Sequence, residues 1–178
     1  MASLIGKYCS AVLLVCSGLA QAASDGTSII VNGKVLANTC TLSSGSKEQV
    51  ITLSDIADRD IKGKGTTGGE KEVNMVLRDC GAAATAVVVT AWGEADSDDT
   101  SAFRNTKTET TGATGVGLYF YQTDGKTKFT PDGLIRERSK LTPSANNTLI
   151  YKAAYAGTGD TVVAGEFSTV VNMSFEYQ

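Results

Sequence analysis

The last fourteen residues carry the strongest pattern in the chain, because apolar and polar side chains alternate there with a period of two. The positions of one face, all apolar except the threonine, are Phe167, Thr169, Val171, Met173, Phe175 and Tyr177. Alternate side chains of a strand point to opposite faces, so this stretch predicts a β-strand with one buried face. The pattern runs to Gln178. We expect the strand to lie at a sheet edge with one side unpaired, which is an arrangement that single proteins usually avoid.

A second alternating stretch begins at Thr27 and leads towards Cys40. Its alternate positions up to residue 35 are Thr27, Ile29, Val31, Gly33 and Val35. Strands usually have about 5–6 residues, so residues 27–42 are long for one strand of one sheet. Either the stretch bends and changes partners, or its first half is not used within its own domain.

The N-terminus has the layout of a secretory signal peptide. A basic residue, Lys7, is followed by an apolar run over residues 11–16 and then by Ala20-Gln21-Ala22. The apolar run is too short to span a bilayer. We expect residues 1–22 to be removed, with cleavage after Ala22 or Ala23. The alternative is a buried N-terminal helix.

The mature chain then has two cysteines, Cys40 and Cys80, and enough residues for one domain with a core. An even pair in an exported chain predicts a disulfide, here closing a loop of about 40 residues. A metal site is the rival interpretation, but the chain has no histidine and two isolated cysteines cannot supply the usual zinc ligands.

Short strand patterns separated by polar turns fill the rest of the chain. They predict strands over residues 49–56, 72–80, 85–92, 116–122, 126–130 and 149–156. The predicted loops are residues 58–71, 94–114 and 131–147, and Asp124-Gly125 predicts a tight hairpin turn. No stretch predicts an amphipathic helix. About seven strands with one cysteine pair and one tryptophan favour an all-β sandwich of the immunoglobulin type.

The candidate chemical motifs are weak. Residues 63–68 match G-x-G-x-x-G but no βαβ unit surrounds them, and Asp96, Asp98 and Asp99 could hold calcium but lack the EF-hand spacing. Without histidine or a spare cysteine the common nucleophile–base pairs are absent. Paired carboxylates remain open, although nothing singles out one pair. We therefore predict no enzyme, no cofactor and no metal. The net charge of −4 after signal removal argues against a nucleic-acid partner.

Taken together, these residues resemble the pilin subunits of chaperone–usher fimbriae, in particular the type 1 subunits. The motifs that carry the resemblance are residues 31–35 before Cys40, residues 77–80, residues 115–118 followed by Asp124-Gly125, and Gly165 with Tyr177 near the end. The resemblance covers the whole mature chain.

The resemblance implies an incomplete immunoglobulin-like sandwich that lacks its final strand, formed by residues 36–178, and an N-terminal donor-strand extension over residues 23–35. The implied inward side chains of the extension are Ile29, Val31, Gly33 and Val35. The implied acceptor groove and chaperone-binding residues are Gly165, Phe167, Val171, Met173, Phe175 and Tyr177. In such strand addition, backbone bonds give affinity and alternate side chains fill pockets.

The implied function is that of a structural subunit of an adhesive fimbria, polymerising head-to-tail by donor-strand exchange. The implied partners are a periplasmic chaperone, an outer-membrane usher and other pilin subunits, with export through the periplasm to the cell surface. A tip adhesin would need a further receptor-binding domain, for which we expect no room, so a shaft or adaptor subunit is expected.

Two alternatives remain open. Residues 23–35 could be an ordinary first strand of their own sheet. The chain could also be a self-contained secreted β-sandwich that binds a receptor or ligand through its loops, since residues 58–71 and 94–114 form a large polar loop set.

Overall fold

The computed structural model describes residues 27–33, 39–107 and 110–178. The chain divides into two units, residues 1–34 and residues 35–178. In the first unit, residues 27–33 form neither helix nor strand, and the side chains of Ile29 and Val31 are 83% and 86% exposed. The predicted signal peptide, the start of the predicted extension and Val35 lie outside the described residues.

The described residues of the second unit form nine strands. Their bounds are β1 Thr41–Leu42, β2 Thr67–Arg78, β3 Ala86–Trp92, β4 Phe103–Arg104, β5 Val116–Tyr121, β6 Lys128–Phe129, β7 Asp132–Lys140, β8 Asn147–Gly157 and β9 Asn172–Tyr177. One short helix, α1 (Ser44–Lys47), and one 3₁₀ turn (Asp58–Ile61) lie between β1 and β2.

The strands form two antiparallel sheets. The larger sheet has the order β1-β2-β8-β5-β4, with β6 also paired to β5, and the smaller has the order β7-β3-β9. The two inner faces supply one hydrophobic core. Its largest fully buried apolar side chains are Tyr151, Phe103, Phe129, Leu77, Leu141, Val87 and Val89. The predicted all-β sandwich is confirmed.

The central strand of the small sheet illustrates how the sequence specifies its local structure. β3 is rich in β-branched residues, which suit a half-buried pleated surface. Its alternate residues Val87, Val89 and Ala91 are fully buried against the large sheet, whereas Trp92 is 42% exposed. β3 pairs with β7 on one edge and with β9 on the other.

The predicted disulfide is confirmed between Cys40 and Cys80. Both cysteines are buried in the core, and the neighbouring residues Thr41 and Arg78 pair across β1 and β2. The bond therefore fixes the start of the second unit to the end of a central strand.

Two element predictions are wrong. Residues 49–56 form no strand, although their side chains alternate, because no neighbouring strand supplies a ladder partner for them. Residues 132–140 form β7 instead of a loop. Among the described residues, β7 pairs with β3 alone. The buried side chain of β7 is the polar Glu137, so the strand has no apolar face that a sequence pattern could reveal.

Several other strands differ from their predictions in length. β2 begins at Thr67, inside the predicted loop, and β9 begins at Asn172 although the alternation starts at residue 165. The predicted strands over residues 85–92, 116–122 and 149–156 are confirmed, whereas the return strand predicted over residues 126–130 is limited to the two residues of β6.

The weak chemical motifs have structural roles. The glycine-rich residues 63–68 lead into a strand, and Gly65 donates its N–H to the carbonyl of Gly157 at 2.8 Å. Asp96 Oδ1 accepts the N–H groups of Asp98 and Asp99 at 3.0 and 3.2 Å. Burial, and then the hydrogen bond to Asp99, raise the pKa of Tyr119 to about 12. The described residues contain no group of three or more His, Cys, Asp or Glu placed to hold a metal ion.

The double substitution Cys40→Ala/Cys80→Ala should lower the free energy of unfolding by about 3–4 kcal/mol, because the unfolded chain loses its closed loop. Urea denaturation of the two proteins without reductant measures this difference. Addition of dithiothreitol should destabilise the parent protein and leave the variant unchanged. Equal stability of the two proteins in oxidising buffer would contradict the prediction.

Candidate functional site: an open strand edge beside an apolar groove

The site begins at β9, because this strand is paired on one side only. Among the described residues, β9 pairs with β3 and with no other strand. Gln178 and Ala86 exchange both backbone bonds, at 2.8 and 3.1 Å. In an antiparallel ladder such pairs alternate with non-bonded ones, so the even-numbered residues of β9 bond to β3. Met173, Phe175 and Tyr177 direct their N–H and C=O groups to the open edge.

The same three residues turn their side chains towards the core, but the core does not cover them. Met173, Phe175 and Tyr177, together with Phe167 and Val171, are half-buried against the main hydrophobic cluster. The open edge therefore offers unpaired backbone groups and half-covered apolar side chains from the same residues. This is the combination that an added β-strand can satisfy.

A groove of about 1180 Å³ runs beside this edge. Its floor comes from the large sheet and consists of Val73, Met75, Leu118, Phe120, Ala153 and Tyr155. One wall is the C-terminal segment from Val163 to Phe175, and the other wall contains residues 49–53. The groove is thus an opening in the sandwich between the edges of its two sheets.

The second wall is the segment that the sequence wrongly predicts as a strand. Residues 49–56 form neither helix nor strand, and Val50 is 95% exposed. Gln49 fixes one end of the segment by donating from Nε2 to the carbonyl of Asn74 at 2.8 Å. A segment with strand-like alternation but no ladder thus lines the same groove as β9.

An aromatic pair at one end of the groove depends on a bulge in β2. The register of β2 against β8 shifts between Gly68 and Lys71, and Gly69 has a φ of +61°. A Cβ at Gly69 would lie 2.8 Å from the ring of Tyr155. Tyr155 in turn packs edge-on against Phe167, with ring centroids 5.2 Å apart. Burial, followed by the negative charge of Asp55, raises the pKa of Tyr155, and burial raises the pKa of Tyr177, so both phenols are neutral at pH 7.

Upstream of β9, the C-terminal segment forms backbone hydrogen bonds with Thr106, Thr111 and Ala113 of a loop instead of with β3. Glu166 donates its N–H to the carbonyl of Thr111 at 2.7 Å and accepts the N–H of Ala113 at 2.9 Å, and Ser168 accepts the N–H of Thr106 at 2.7 Å. The loop lies so close that a Cβ at Gly165 would be 2.5 Å from the backbone of Gly112 and Ala113. Gly165 is therefore required by this close approach.

The structure brings most of the predicted acceptor residues together. Gly165, Phe167, Val171, Met173 and Phe175 line the groove, while Tyr177 packs against the core without lining it. Of the predicted donor residues, Ile29, Val31 and Gly33 lie in the first unit and are exposed. Sequence reasoning missed the wall at residues 49–53 as part of the site, and it missed the loop around Asn105, whose polar composition carries no signal for such a role.

Comparison with known proteins agrees with this geometry. A family model described as "Fimbrial protein" matches residues 29–178. Fimbrial subunit ElfA of Escherichia coli (strain K12) is 33% identical over 159 residues, which cover 88% of this chain and 86% of the relative. Long polar fimbria protein A of Salmonella typhimurium is 30% identical over 164 residues, with 91% and 89% coverage.

Solved structures agree on the fold. A chaperone–usher pilus structure superposes with a TM-score of 0.66 at 19% identity, covering 89% of this chain and 99% of that chain. The P pilus rod subunit PapA gives a TM-score of 0.63 at 20% identity, covering 78% and 99%.

An incomplete immunoglobulin-like sandwich with one open groove is the architecture of a protein that pairs with a strand from another chain. The chain belongs to the fimbrial protein family. It is a structural fimbrial subunit, as are the relatives that it matches along most of its length. Within the part of the chain that the structure describes, no helix is long and apolar enough to cross a membrane.

The substitution Gly165→Ala should lower the free energy of unfolding by about 1–3 kcal/mol, because the added methyl group forces the segment away from residues 112–113. Urea denaturation measures the change. Gly45→Ala is the matched control, since no atom lies within 4 Å of its Cβ position, and its effect should stay within about 1 kcal/mol. A Gly165→Ala protein as stable as the parent would show that the close approach is not required.

Proposed function

We propose that these subunits polymerise by donor-strand exchange, in which the groove of one subunit accepts the N-terminal extension of the next. The observation that carries the proposal is the open edge of β9, where Met173, Phe175 and Tyr177 combine unpaired backbone groups with half-covered apolar side chains. A strand inserted there gains backbone bonds of about 0.5–1.5 kcal/mol each and buries apolar surface.

The donor in this proposal is the extension formed by residues 23–35. The family model begins at residue 29, so the extension belongs in part to the matched region. Ile29 and Val31 are largely exposed and residues 27–33 form no strand, which is consistent with a segment whose partner is another molecule. Ile29, Val31, Gly33 and Val35 would enter the groove, with Gly33 at its narrowest point.

Assembly of this kind is head-to-tail. The donor and acceptor surfaces differ, so each subunit can accept one strand and donate another, and the contact generates an open filament. The same contact gives each groove an occupant within the fibre, so that no open edge remains along the shaft.

The open groove also requires protection before assembly. We assign this role to a periplasmic chaperone that lends a strand to the groove, and we assign the exchange to an outer-membrane usher. Export would begin with removal of residues 1–22. We assign no catalytic role to the subunit. The alternative of a self-contained secreted sandwich is disfavoured, because such a protein would need a partner for the open edge of β9.

Deletion of residues 23–33 behind the intact signal peptide should give a subunit that accepts a strand but cannot donate one. Electron microscopy and size-exclusion chromatography should show no fibres from this protein alone. Mixed with the parent subunit, it should shorten the fibres, because it ends growth wherever it is incorporated. Fibres formed by the truncated subunit alone would refute the donor assignment.

The substitution Phe175→Asp should weaken strand capture at least about a hundredfold, because an occupied groove would bury an unpaired carboxylate. Gln178→Glu is the matched control, since it places the same charge at an exposed position just after β9 that does not line the groove. Co-purification of each variant with the chaperone from periplasm, together with fibre yield, measures the effect. Undiminished co-purification of Phe175→Asp would contradict the assignment of the groove.

A further inference from the structure

One side chain, Asn105, joins the C-terminal segment to the loop that supports it. Its Nδ2 donates to the carbonyls of Ala113 at 2.8 Å and Glu166 at 3.0 Å. Its Oδ1 accepts the N–H groups of Lys107 at 3.1 Å and Ser168 at 3.0 Å. The half-buried amide thus uses its donor and acceptor groups to hold both ends of the loop against residues 166–168. We call residues 105–107 and 110–113 the clamp loop.

The clamp loop has further contacts with the same two residues. Thr106 donates both its N–H, at 2.7 Å, and its hydroxyl, at 3.0 Å, to the carbonyl of Ser168. Lys107 Nζ lies 3.4 Å from a carboxylate oxygen of Glu166, but both groups are exposed, so this ion pair contributes little. Asn105 is distinguished by bonding with one side chain to both Glu166 and Ser168 and also to Lys107 and Ala113 within the clamp loop.

The clamp loop covers the same edge of the segment that β3 covers further along. Residues 166 and 168 bond to the clamp loop, and the even-numbered residues of β9 bond to β3. Between them, the carbonyl of Val170 lies against Gly93, where a Cβ would be only 2.6 Å from its oxygen. One edge of the segment is thus supported from residue 166 to residue 178 by three different parts of the chain.

This support leaves the opposite edge available over a long distance. The side chains at odd-numbered positions from Phe167 to Tyr177 are half-buried, and most even-numbered ones are exposed, so the two-residue period holds upstream of β9. β9 alone spans 6 residues. The supported segment from residue 167 to residue 177 spans eleven residues, or about 33 Å at the rise of a strand.

We propose that Asn105 is a positioning residue that sets the length of the strand the groove accepts. The inference rests on the proposed function, because it concerns how the same groove takes a donor. With Asn105 in place, residues 167–171 are held extended and extend the acceptor edge beyond β9. Without it, residues 166 and 168 lose the side chain that joins both ends of the clamp loop to them, so the segment upstream of β9 is held less firmly than β9, which keeps its ladder with β3. The predicted extension, residues 23–35, is long enough to fill the longer edge.

The test uses the mature chain, its Asn105→Ala variant and two fluorescent peptides that copy residues 25–35 and residues 29–34. Fluorescence anisotropy gives the affinity of each peptide. The parent protein should bind the eleven-residue peptide at least about tenfold more tightly than the six-residue peptide, because the extra residues add backbone bonds. In Asn105→Ala the two affinities should agree within about twofold. Asn146→Ala, a loss of the same side chain from an exposed turn before β8 that does not line the groove, should keep the discrimination of the parent.

A second measurement separates positioning from general stability. Hydrogen exchange in Asn105→Ala should accelerate at the N–H of Ser168, which bonds to the Asn105 side chain, and remain slow at the N–H of Glu176, which lies in the ladder with β3. Equal acceleration at both sites would overturn the inference, because Asn105 would then act on the whole sandwich.

The outcomes distinguish the inference from the function on which it rests. If neither peptide binds the parent protein, the proposed function fails. The inference fails if both peptides bind the parent equally well, or if Asn105→Ala keeps the full preference for the longer peptide. In either case Asn105 does not set the length of the accepted strand, while strand capture by the groove stands.

Discussion

The structure depends on the one-sided hydrogen bonding of its C-terminal segment. Even-numbered residues bond to β3, and their odd-numbered neighbours present N–H and C=O groups to the other side. Strand geometry gives those odd-numbered residues, Met173, Phe175 and Tyr177, side chains that face the core. One missing neighbour therefore leaves both the backbone and the apolar face incomplete, and a single added strand completes both.

The remainder of the fold keeps this opening in shape. The disulfide between Cys40 and Cys80 joins the start of β1 to the end of β2. The glycine at position 69 leaves space for the ring of Tyr155, and Asn105 forms hydrogen bonds with residues 166 and 168. The disulfide anchors β2, whose residues Val73 and Met75 line the groove; Tyr155 lines it as well, and the loop around Asn105 lies along the supported edge. None of them covers the open edge, so the groove is preformed and accessible, which lowers the ordering cost of accepting a strand.

Much of the fold follows from patterns that act over a few residues. β3 and β5 are apolar, short and rich in β-branched or aromatic residues, so they could be predicted directly. β7 could not, because its charged residues face solvent along most of its length and its pairing with β3 is a long-range contact. The prediction for residues 49–56 has the opposite error, because a strand is expected where none forms. They alternate as a strand does, but a strand also needs a neighbour, and the local pattern carries no information about one.

The sequence by itself determined that the last residues form a one-faced strand and that Cys40 and Cys80 pair, because side-chain alternation and cysteine number are local or countable properties. Its resemblance to pilins also implied the residues that we propose as the acceptor groove. The tertiary structure alone decided where the open edge ends, why Gly165 must be a glycine, and that Asn105 holds the segment upstream of β9. Those features arise from close approaches and hydrogen bonds between residues about 50–60 positions apart, which no local pattern encodes.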